Sequence, residues 1–248
     1  MAFSGGVDST FLAAIAKSTL GKENILAVTG LSESYPASER LAAKELAKEL
    51  SIKQIFIKTE ELKDKDFVKN PVNRCYYCKK TLFKKIKREA KKLGFYFVLD
   101  GSTLDDLSDL RYGKIAANEE GVKSPIQEAG LSKNSVRRFM RSMGLKNWDK
   151  PSFACLASRF SYNQEITREK LSAIEKAEDY IKEMGFRQLR VRCHEGNIVR
   201  VEVPKADIAK FLKRDVREKV TRKLKSLGFN YITLDLVGYR TGSMNEEL

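Results

Sequence analysis

The stretch Ser4-Gly5-Gly6-Val7-Asp8-Ser9-Thr10 decides the fold of this chain. A run of small residues followed at once by a helical pattern, here residues 7–16, predicts a tight turn from a strand into a helix. Such a turn points several backbone N–H groups at one place, and the positive end of the helix dipole reinforces them. The stretch therefore predicts a binding site for a polyphosphate.

The residue types of this loop suit a nucleotide. Gly5 and Gly6 let phosphate approach the backbone, and the serine and threonine hydroxyls add donors. Asp8 cannot bond phosphate directly and is better placed to hold a Mg²⁺ ion that bridges it. The loop lacks the lysine of a Walker-type loop and the third glycine of a dinucleotide loop. The alternative is an ordinary strand-to-helix turn of similar composition.

The segment before the loop is short, since only residues 1–3 precede it. A strand usually has about five or six residues. Either the chain lacks its natural start, or a short strand is completed elsewhere.

The first 161 residues alternate apolar runs with helical patterns, which indicates βαβ units. We expect strands at 24–29, 54–58 and 95–100 and helices at 37–50 and 74–93. The sheet should be parallel and covered on both faces.

Residues 162–248 follow another pattern, which predicts a smaller α+β domain. Its expected elements are a helix at 167–184, strands at 187–194 and 197–203, helical segments within 205–227 and a strand at 231–236. Gly196 and Asn197 supply the turn of a hairpin between the first two strands.

A second polar segment, residues 100–106, follows the strand expected at 95–100, and Arg111 comes soon after. In open α/β sheets ligands bind at the carboxyl ends of strands, so Gly101 and Arg111 are candidate nucleotide contacts. The acidic pair Asp105 and Asp106 has an equally good explanation as charge that stabilises a helix N-terminus.

The composition limits the class of protein. Hydrophobic residues make up 42% and charged residues 32% of the chain, which favours a globular fold. The net charge of +14 attracts polyanions such as nucleotides or RNA, although a lysine-rich solvated surface explains it equally well. With neither a membrane span nor a signal peptide in the sequence, we expect a cytosolic protein.

Four cysteines in a reducing compartment favour metal ligands, catalytic thiols or core residues over disulfides. Cys75 and Cys78 are three residues apart, on one side of a helical turn, and Cys155 adds a third thiol. Three thiolates suit an iron-sulfur cluster with one open iron, whereas structural zinc requires a fourth ligand. Cys193 alternates onto the apolar face of its strand, so we interpret it as a core residue.

The opposite face of that strand carries Arg190, Arg192 and His194. Such a cationic row suits a phosphate or carboxylate, and solvated surface explains it as often. The sequence shows no partner for His194, the chain's one histidine.

Taken together, these motifs resemble the LarE-type ATP-dependent sacrificial sulfur transferases, a family of PP-loop ATP pyrophosphatases. The resemblance covers nearly the whole chain. It rests on the SGGxDS loop, on residues 70–78, on residues 124–137, on Cys155-Leu156-Ala157-Ser158-Arg159, and on residues 238–243.

The resemblance implies a Rossmann-like adenine nucleotide alpha hydrolase fold for the first domain. It also implies that ATP adenylates a carboxylate of a pyridinium dicarboxylate mononucleotide and that sulfur is then delivered. AMP and pyrophosphate leave, and the thiocarboxylate goes toward the nickel-pincer nucleotide cofactor of lactate racemase. Family members with a single cysteine take the sulfur from the residue that matches Cys155.

Cys75 and Cys78 match the other branch of the family, in which three cysteines hold a [4Fe-4S] cluster whose unique iron carries the transferable sulfide. We favour that branch. The resemblance further implies a homo-oligomer and assigns the substrate phosphate and carboxylate to Ser158, Arg159, Arg190 and Arg192.

Two rival functions stay open. A PP-loop tRNA thiolase also combines this loop with three cysteines and a basic surface, but the sequence has no recognisable RNA-binding module, so we do not expect nucleic acid as the partner. A non-catalytic nucleotide- or zinc-binding module would use the same residues without turnover.

Overall fold

The computed structural model describes residues 1–107, 112–151 and 153–248. The chain divides into two compact units. The first comprises residues 1–67 and 73–153, and the second comprises residues 68–72 and 154–248. The boundary that we expected, between residues 161 and 162, lies inside the second unit.

Regular elements occur along the whole described chain. The helices are α1 Val7–Leu20, α2 Ala37–Glu49, α3 Lys65–Val68, α4 Arg74–Lys92, α5 Tyr112–Glu119, α6 Pro125–Glu128, α7 Lys133–Ser142, α8 Arg168–Glu183, α9 Ile208–Phe211 and α10 Arg214–Ser226. The strands are β1 Ala27–Leu31, β2 Gln54–Lys58, β3 Arg190–His194, β4 Ile198–Glu202 and β5 Tyr231–Leu234.

The sheet of the first unit is parallel. β1 pairs with β2 in parallel, and Ala2 forms a parallel bridge to Val28 on the other side of β1. The Ala2 N–H donates to the Leu99 carbonyl at 2.8 Å, and Leu99 forms a parallel bridge to Lys123. The residues before the glycine loop are therefore a very short central strand, flanked by β1 and by the segment around Leu99.

Helices cover both faces of this sheet. On one face Phe3 and Ala27 pack with residues of α1 and α2, such as Ala13 and Ala43. On the other face Leu26 and Val28 pack with residues of α4, such as Phe83 and Ile86. Both faces are thus buried, and the unit is the Rossmann-like α/β fold that the sequence predicts.

Several expected elements differ from the structure in their bounds; the strand expected at 24–29, for example, is β1 at Ala27–Leu31. The strand expected at 95–100 is reduced to the single bridge of Leu99, because Tyr96 and Phe97 turn outward and are 93% and 71% exposed. Helix α1 continues to Leu20, beyond the expected end at Ala16, and stops before Gly21, whose φ is +83°.

The second unit is an α+β fold. β3 and β4 are antiparallel, as the hairpin pattern predicts, and β5 pairs in parallel with β4. The buried face of α8 covers this sheet, with Leu171, Ile174 and Ile181 all at most 1% exposed. No helix within the described ranges is long and apolar enough to cross a membrane.

Candidate active site

The glycine loop leads from the short strand directly into α1. Gly5 has φ of +65°, and a Cβ atom there would lie 2.8 Å from the Ala43 Cα of α2. Only glycine accommodates both this conformation and this contact. Within the described chain no side chain caps α1 at Gly6, so the backbone donors of its first turn point outward.

Hydrogen bonds fix the shape of the loop. The Ser9 hydroxyl donates to the Gly6 carbonyl at 3.2 Å and accepts from the Ser4 N–H at 3.3 Å. Thr10 is fully buried, and its hydroxyl accepts from the Asn147 amide at 3.1 Å. The backbone is therefore held ready for a ligand before any ligand binds.

Gly101 lies against this loop. A Cβ atom at Gly101 would lie 3.0 Å from the Ser9 backbone nitrogen and 3.0 Å from the Asp8 carbonyl carbon. The segment after the Leu99 bridge therefore reaches the start of α1 only because position 101 has no side chain. Arg111, the other expected contact from this segment, lies outside the described residues.

Asp8 presents a carboxylate at the start of α1. Its Oδ1 atom is buried and has no hydrogen-bond partner among the residues that the structure describes. Burial raises the pKa of this carboxyl, while the charge of Lys133 lowers it and that of Asp106 raises it. A buried, unpaired carboxylate oxygen beside a phosphate loop has the donor chemistry that Mg²⁺ prefers.

The acidic pair after Gly101 has local partners. Asp106 accepts from the Thr103 N–H at 2.8 Å, and its other oxygen lies 3.3 Å from the Lys133 ammonium. Asp105 accepts at 2.6 Å from the Lys133 N–H in the first turn of α7. Asp105 therefore does stabilise a helix N-terminus, although it is that of α7.

The cysteine pair lies in the first turns of α4. Cys75 is exposed and Cys78 is half-buried, and neither forms a disulfide. The Cys78 thiol donates to Glu61 Oε1 at 3.5 Å. Among the described residues, no three His, Cys, Asp or Glu side chains are grouped so as to hold a metal ion.

Cys155 belongs to the second unit and directly precedes a 3-10 helix, Leu156–Arg159. The Cys155 carbonyl accepts from Arg159 Nη1 at 3.0 Å, and the Ala154 carbonyl accepts from the same nitrogen at 2.6 Å. Arg159 is 0% exposed. The backbone that carries the Cys155 thiol is thus fixed by a buried guanidinium.

Glu178 of α8 holds that guanidinium through two hydrogen bonds, of 2.8 Å from Arg159 Nε and 3.0 Å from Nη2. Burial alone would raise the pKa of the Glu178 carboxyl, but the charge and hydrogen bonds of Arg159 hold it below its usual value. Glu178 also accepts from the Val191 N–H at 3.1 Å. The pair therefore ties the Cys155 loop to α8 and to β3.

The two arginines of β3 lie beside this loop. Arg192 donates to the Ser158 carbonyl at 3.1 Å and pairs with Glu202 at 2.9 Å. Burial lowers the pKa of the Arg190 guanidinium, and the charges of Arg159 and Arg192 lower it further. The charges of Glu178 and Tyr239 act in the opposite direction on Arg190, and Arg159 and Arg192 each pair with a buried carboxylate, Glu178 and Glu202.

Two expectations for β3 can be compared with its contacts. Cys193 is 1% exposed, which confirms it as a core residue. His194, for which the sequence shows no partner, has two in the fold, because its Nδ1 lies 2.9 Å from the Ser161 hydroxyl and its Nε2 accepts from Arg200 Nε at 3.2 Å. Sequence spacing gives no sign of Ser161, which lies 33 residues before His194 along the chain.

Several residues of the site were missed at the sequence level. Asn147 and Lys150 donate to the Gly5 carbonyl at 3.5 and 3.4 Å, and nothing in their local sequence indicates it. Glu178 did carry a signal, because it lies on the apolar stripe of α8 between Ile174 and Ile181. A carboxylate in such a stripe requires a buried cationic partner.

The Rossmann-like first unit and its SGGxDS loop define a PP-loop nucleotide-binding protein. The family model described as NAD synthase matches residues 1–73, which include this loop.

Relatives match all or nearly all of the chain. A pyridinium-3,5-bisthiocarboxylic acid mononucleotide synthase of Lactiplantibacillus plantarum is 38% identical over 248 residues, covering 100% of this chain and 89% of that protein. An uncharacterised protein of Synechocystis is 40% identical over all of this chain and 92% of its own length. An uncharacterised protein of Methanocaldococcus jannaschii is 26% identical over 97% of this chain and 90% of its own length. The chain therefore belongs to the LarE-type sulfur transferases, the PP-loop family of the Lactiplantibacillus synthase.

Proposed function

We propose that this enzyme adenylates a carboxylate of a pyridinium-3,5-dicarboxylate mononucleotide and replaces the AMP with sulfur. In the first step a carboxylate oxygen bonds to the α-phosphorus of ATP and pyrophosphate leaves. In the second step sulfur bonds to the acyl carbon and AMP leaves with that oxygen. The product is a thiocarboxylate for a nickel-pincer nucleotide cofactor of the kind that lactate racemase uses.

One observation carries the proposal: a cluster of arginines lies at the Cys155 loop, and two of them are hydrogen-bonded to its backbone. Arg159 bonds the Cys155 carbonyl, and Arg192 bonds the Ser158 carbonyl. Arg190 precedes Arg192 by two residues on β3, so the two side chains lie on the same face of the strand. A substrate with a phosphate and carboxylates offers the anions that such a cluster attracts, and it would then lie near the thiol. Ser158 adds a hydroxyl to this set.

The first unit would handle ATP. The backbone of residues 4–10 and of Gly101 would bind pyrophosphate through N–H donors, since the loop is already held open by its own hydrogen bonds. The unpaired Oδ1 of Asp8 suits Mg²⁺, which would neutralise charge on the phosphates. Arg111 stays a predicted nucleotide contact.

For the sulfur source we favour a [4Fe-4S] cluster held by Cys75, Cys78 and Cys155, which when bound would supply a replaceable sulfide. The donor set suits it, since these three thiols are reduced and exposed or half-buried, whereas Cys193 is buried. Because no three candidate ligands are grouped in the described chain, the cluster rests on this donor chemistry alone. A replaceable sulfide permits many turnovers, and a sacrificed Cys155 permits one.

The test of the activity is release of AMP and pyrophosphate that depends on the pyridinium mononucleotide, with the thiocarboxylate detected by mass spectrometry. ATP binding without turnover at any sulfide concentration would favour the non-catalytic module. Co-purified tRNA, or a shifted tRNA band on a gel, would favour the thiolase.

The test of the sulfur source is anaerobic reconstitution with iron and sulfide, followed by an absorbance spectrum and an iron count. Cys75→Ala should lose the cluster and multiple turnover, while Cys193→Ala, the matched control, should keep both. A Cys75→Ala protein with full iron and many turnovers would contradict the cluster. Loss of the mass of H₂S at Cys155 would identify the sacrificial route.

We also propose that the protein forms a homo-oligomer. β5 is an edge strand of the second unit's sheet, and its first residue, Tyr231, is 66% exposed. An exposed edge of this kind can pair with another copy of the chain. Light scattering of the purified protein tests this, and a monomer at micromolar concentration would contradict it.

A further inference from the structure

Three side chains from outside the glycine loop bind its first two carbonyl oxygens. The Tyr35 hydroxyl donates to the Ser4 carbonyl at 2.8 Å. The Asn147 amide and the Lys150 ammonium donate to the Gly5 carbonyl at 3.5 and 3.4 Å. Both peptide groups that lead into α1 therefore have an oxygen that is bound from outside the loop.

These three donors are themselves fixed by further contacts. The Asn147 amide also donates at 3.1 Å to the hydroxyl of Thr10, which is fully buried. The Lys150 ammonium pairs with the Glu39 carboxylate at 2.7 Å, and the Tyr35 hydroxyl lies 3.1 Å from the carbonyl of the same glutamate. Burial raises the pKa of the Tyr35 hydroxyl, so it keeps its proton at neutral pH. The donors are thus oriented toward the loop.

The direction of a carbonyl sets the direction of the N–H on the same peptide, because the two groups point opposite ways in a trans peptide. With the Gly5 carbonyl turned toward Asn147 and Lys150, the Gly6 N–H points the other way. There it donates to the Ser4 hydroxyl at 3.4 Å. A phosphate oxygen is charged and forms a stronger hydrogen bond than this long contact, so it can take the place of the hydroxyl.

Glycine makes the opposite orientation of this peptide accessible. Without a Cβ atom, Gly6 can adopt positive φ about as readily as negative φ, so the peptide between Gly5 and Gly6 could turn over if nothing held it. The Gly5 carbonyl would then face the anion site, where its partial negative charge repels phosphate. The loop composition that admits phosphate therefore requires outside donors to select one orientation.

We propose that Asn147, Lys150 and Tyr35 are positioning residues for ATP activation. They hold the carbonyls of Ser4 and Gly5 away from the phosphates, so that the loop presents N–H donors. This role rests on the ATP site of the proposed function and extends it to residues outside the loop.

The test is calorimetric titration of the whole chain with Mg²⁺-pyrophosphate and, separately, with AMP. Tyr35→Phe and Asn147→Leu each remove an uncharged donor and nearly keep the size of the side chain. Apparent affinity falls with the fraction of correctly oriented loops, so a loop oriented correctly in about one molecule in ten binds pyrophosphate about tenfold more weakly. We expect a loss of this size in each variant. AMP affinity should not change, because AMP lacks the β- and γ-phosphates.

The matched controls are Asn24→Leu and Tyr96→Phe. The Asn24 amide donates to the Leu20 carbonyl at the other end of α1, and Tyr96 is 93% exposed. Both variants should bind pyrophosphate as the unchanged protein does. Lys150→Met should weaken pyrophosphate binding, and Lys150→Arg, which keeps the charge and the donors, should restore it.

Unchanged pyrophosphate affinity in a variant would overturn the role of the residue replaced. Equal weakening of pyrophosphate and AMP binding would also overturn it, because that pattern indicates general loss of the folded site. If Asn147→Leu does not fold, Tyr35→Phe, which removes one oxygen atom, decides. Absence of pyrophosphate binding in the unchanged protein would contradict the ATP site itself. Since this binding requires neither the pyridinium substrate nor sulfur, its failure is distinguishable from failure of the proposed sulfur transfer.

Discussion

The glycine loop of the first unit and the Cys155 loop of the second are both fixed before substrate binds, but by opposite means. The glycine loop depends on missing atoms, because Gly5 and Gly101 leave room for Ala43 and for the backbone of α1. The Cys155 loop depends on added atoms, because Arg159 and Glu178 are buried beneath it. Adding a methyl group at Gly5 or Gly101 should therefore distort the glycine loop, and removing the charge of Glu178 should distort the Cys155 loop.

The largest effect is expected from Cys155→Ala, which removes the thiol of the Cys155 loop and leaves the glycine loop unchanged. Formation of thiocarboxylate should fall by about 10³-fold or more, in the range seen when a reacting group is removed. Substrate-dependent release of pyrophosphate should persist, since the glycine loop is unchanged. Parallel assays of both products test this, and a variant that loses pyrophosphate release as well would show that the two loops do not act independently.

Glu178→Gln removes the charge under the Cys155 loop. Arg159 would keep a hydrogen-bonding partner of the same shape but would be buried without an opposite charge, which costs about 3–5 kcal/mol of stability. Urea unfolding measures the loss. The control is Glu218→Gln, which breaks the exposed pair with Arg214 and should cost less than about 1 kcal/mol. Equal losses of unfolding free energy in the two variants would show that burial does not strengthen the Arg159–Glu178 pair.

Gly5→Ala adds one methyl group to the glycine loop. The φ of +65° and the 2.8 Å approach to Ala43 should cost about 1–3 kcal/mol and, by displacing the loop, lower ATP turnover about a hundredfold. Gly94→Ala is the control, because its φ is +78° and no described atom lies within 4 Å of the added carbon. It should lose some stability and keep its activity. Normal ATP turnover in Gly5→Ala would show that α2 moves enough to accommodate the added methyl group.

The smallest expected effect is a pH dependence of the unfolding free energy that arises from Glu178 beneath the Cys155 loop. Because the folded pKa of Glu178 lies below its ordinary value of 4.5, its contribution to stability is present above that pH. It is lost as the pH falls through the folded pKa. Unfolding free energies measured between neutral and acid pH should fall less steeply for Glu178→Gln than for the unchanged protein. Parallel slopes would contradict the assignment.

Local sequence predicted the elements well where one pattern dominates. Strand β2 has the predicted bounds, and α4 begins at the predicted Arg74 and buries one face with Phe83, Ile86 and Ala90. The segment 95–100 failed as a strand because an apolar run does not reveal which residues turn outward, as Tyr96 and Phe97 do. The short strand before the loop is completed by Leu99, a partner far along the chain.

Those parts of the candidate site that residues close together in the sequence form could be predicted from the sequence. The glycine loop was found from its own seven residues, and the thiols were found from their spacing. The carboxylates that contact the Cys78 thiol and the Arg159 guanidinium were not predicted, because Glu61 lies 17 residues from Cys78 and Glu178 lies 19 residues from Arg159. Only the folded chain brings such pairs together.

The buried pairs around β3 give the protein two different responses to ionic strength. The Arg159–Glu178 and Arg192–Glu202 pairs are at most 6% exposed in their side chains, so dissolved ions screen them little. The net charge of +14 acts mainly through the solvent, where salt screens it over about 10 Å at 0.1 M. Salt should therefore slow the arrival of anionic nucleotides at the surface while leaving the shape of the Cys155 loop unchanged.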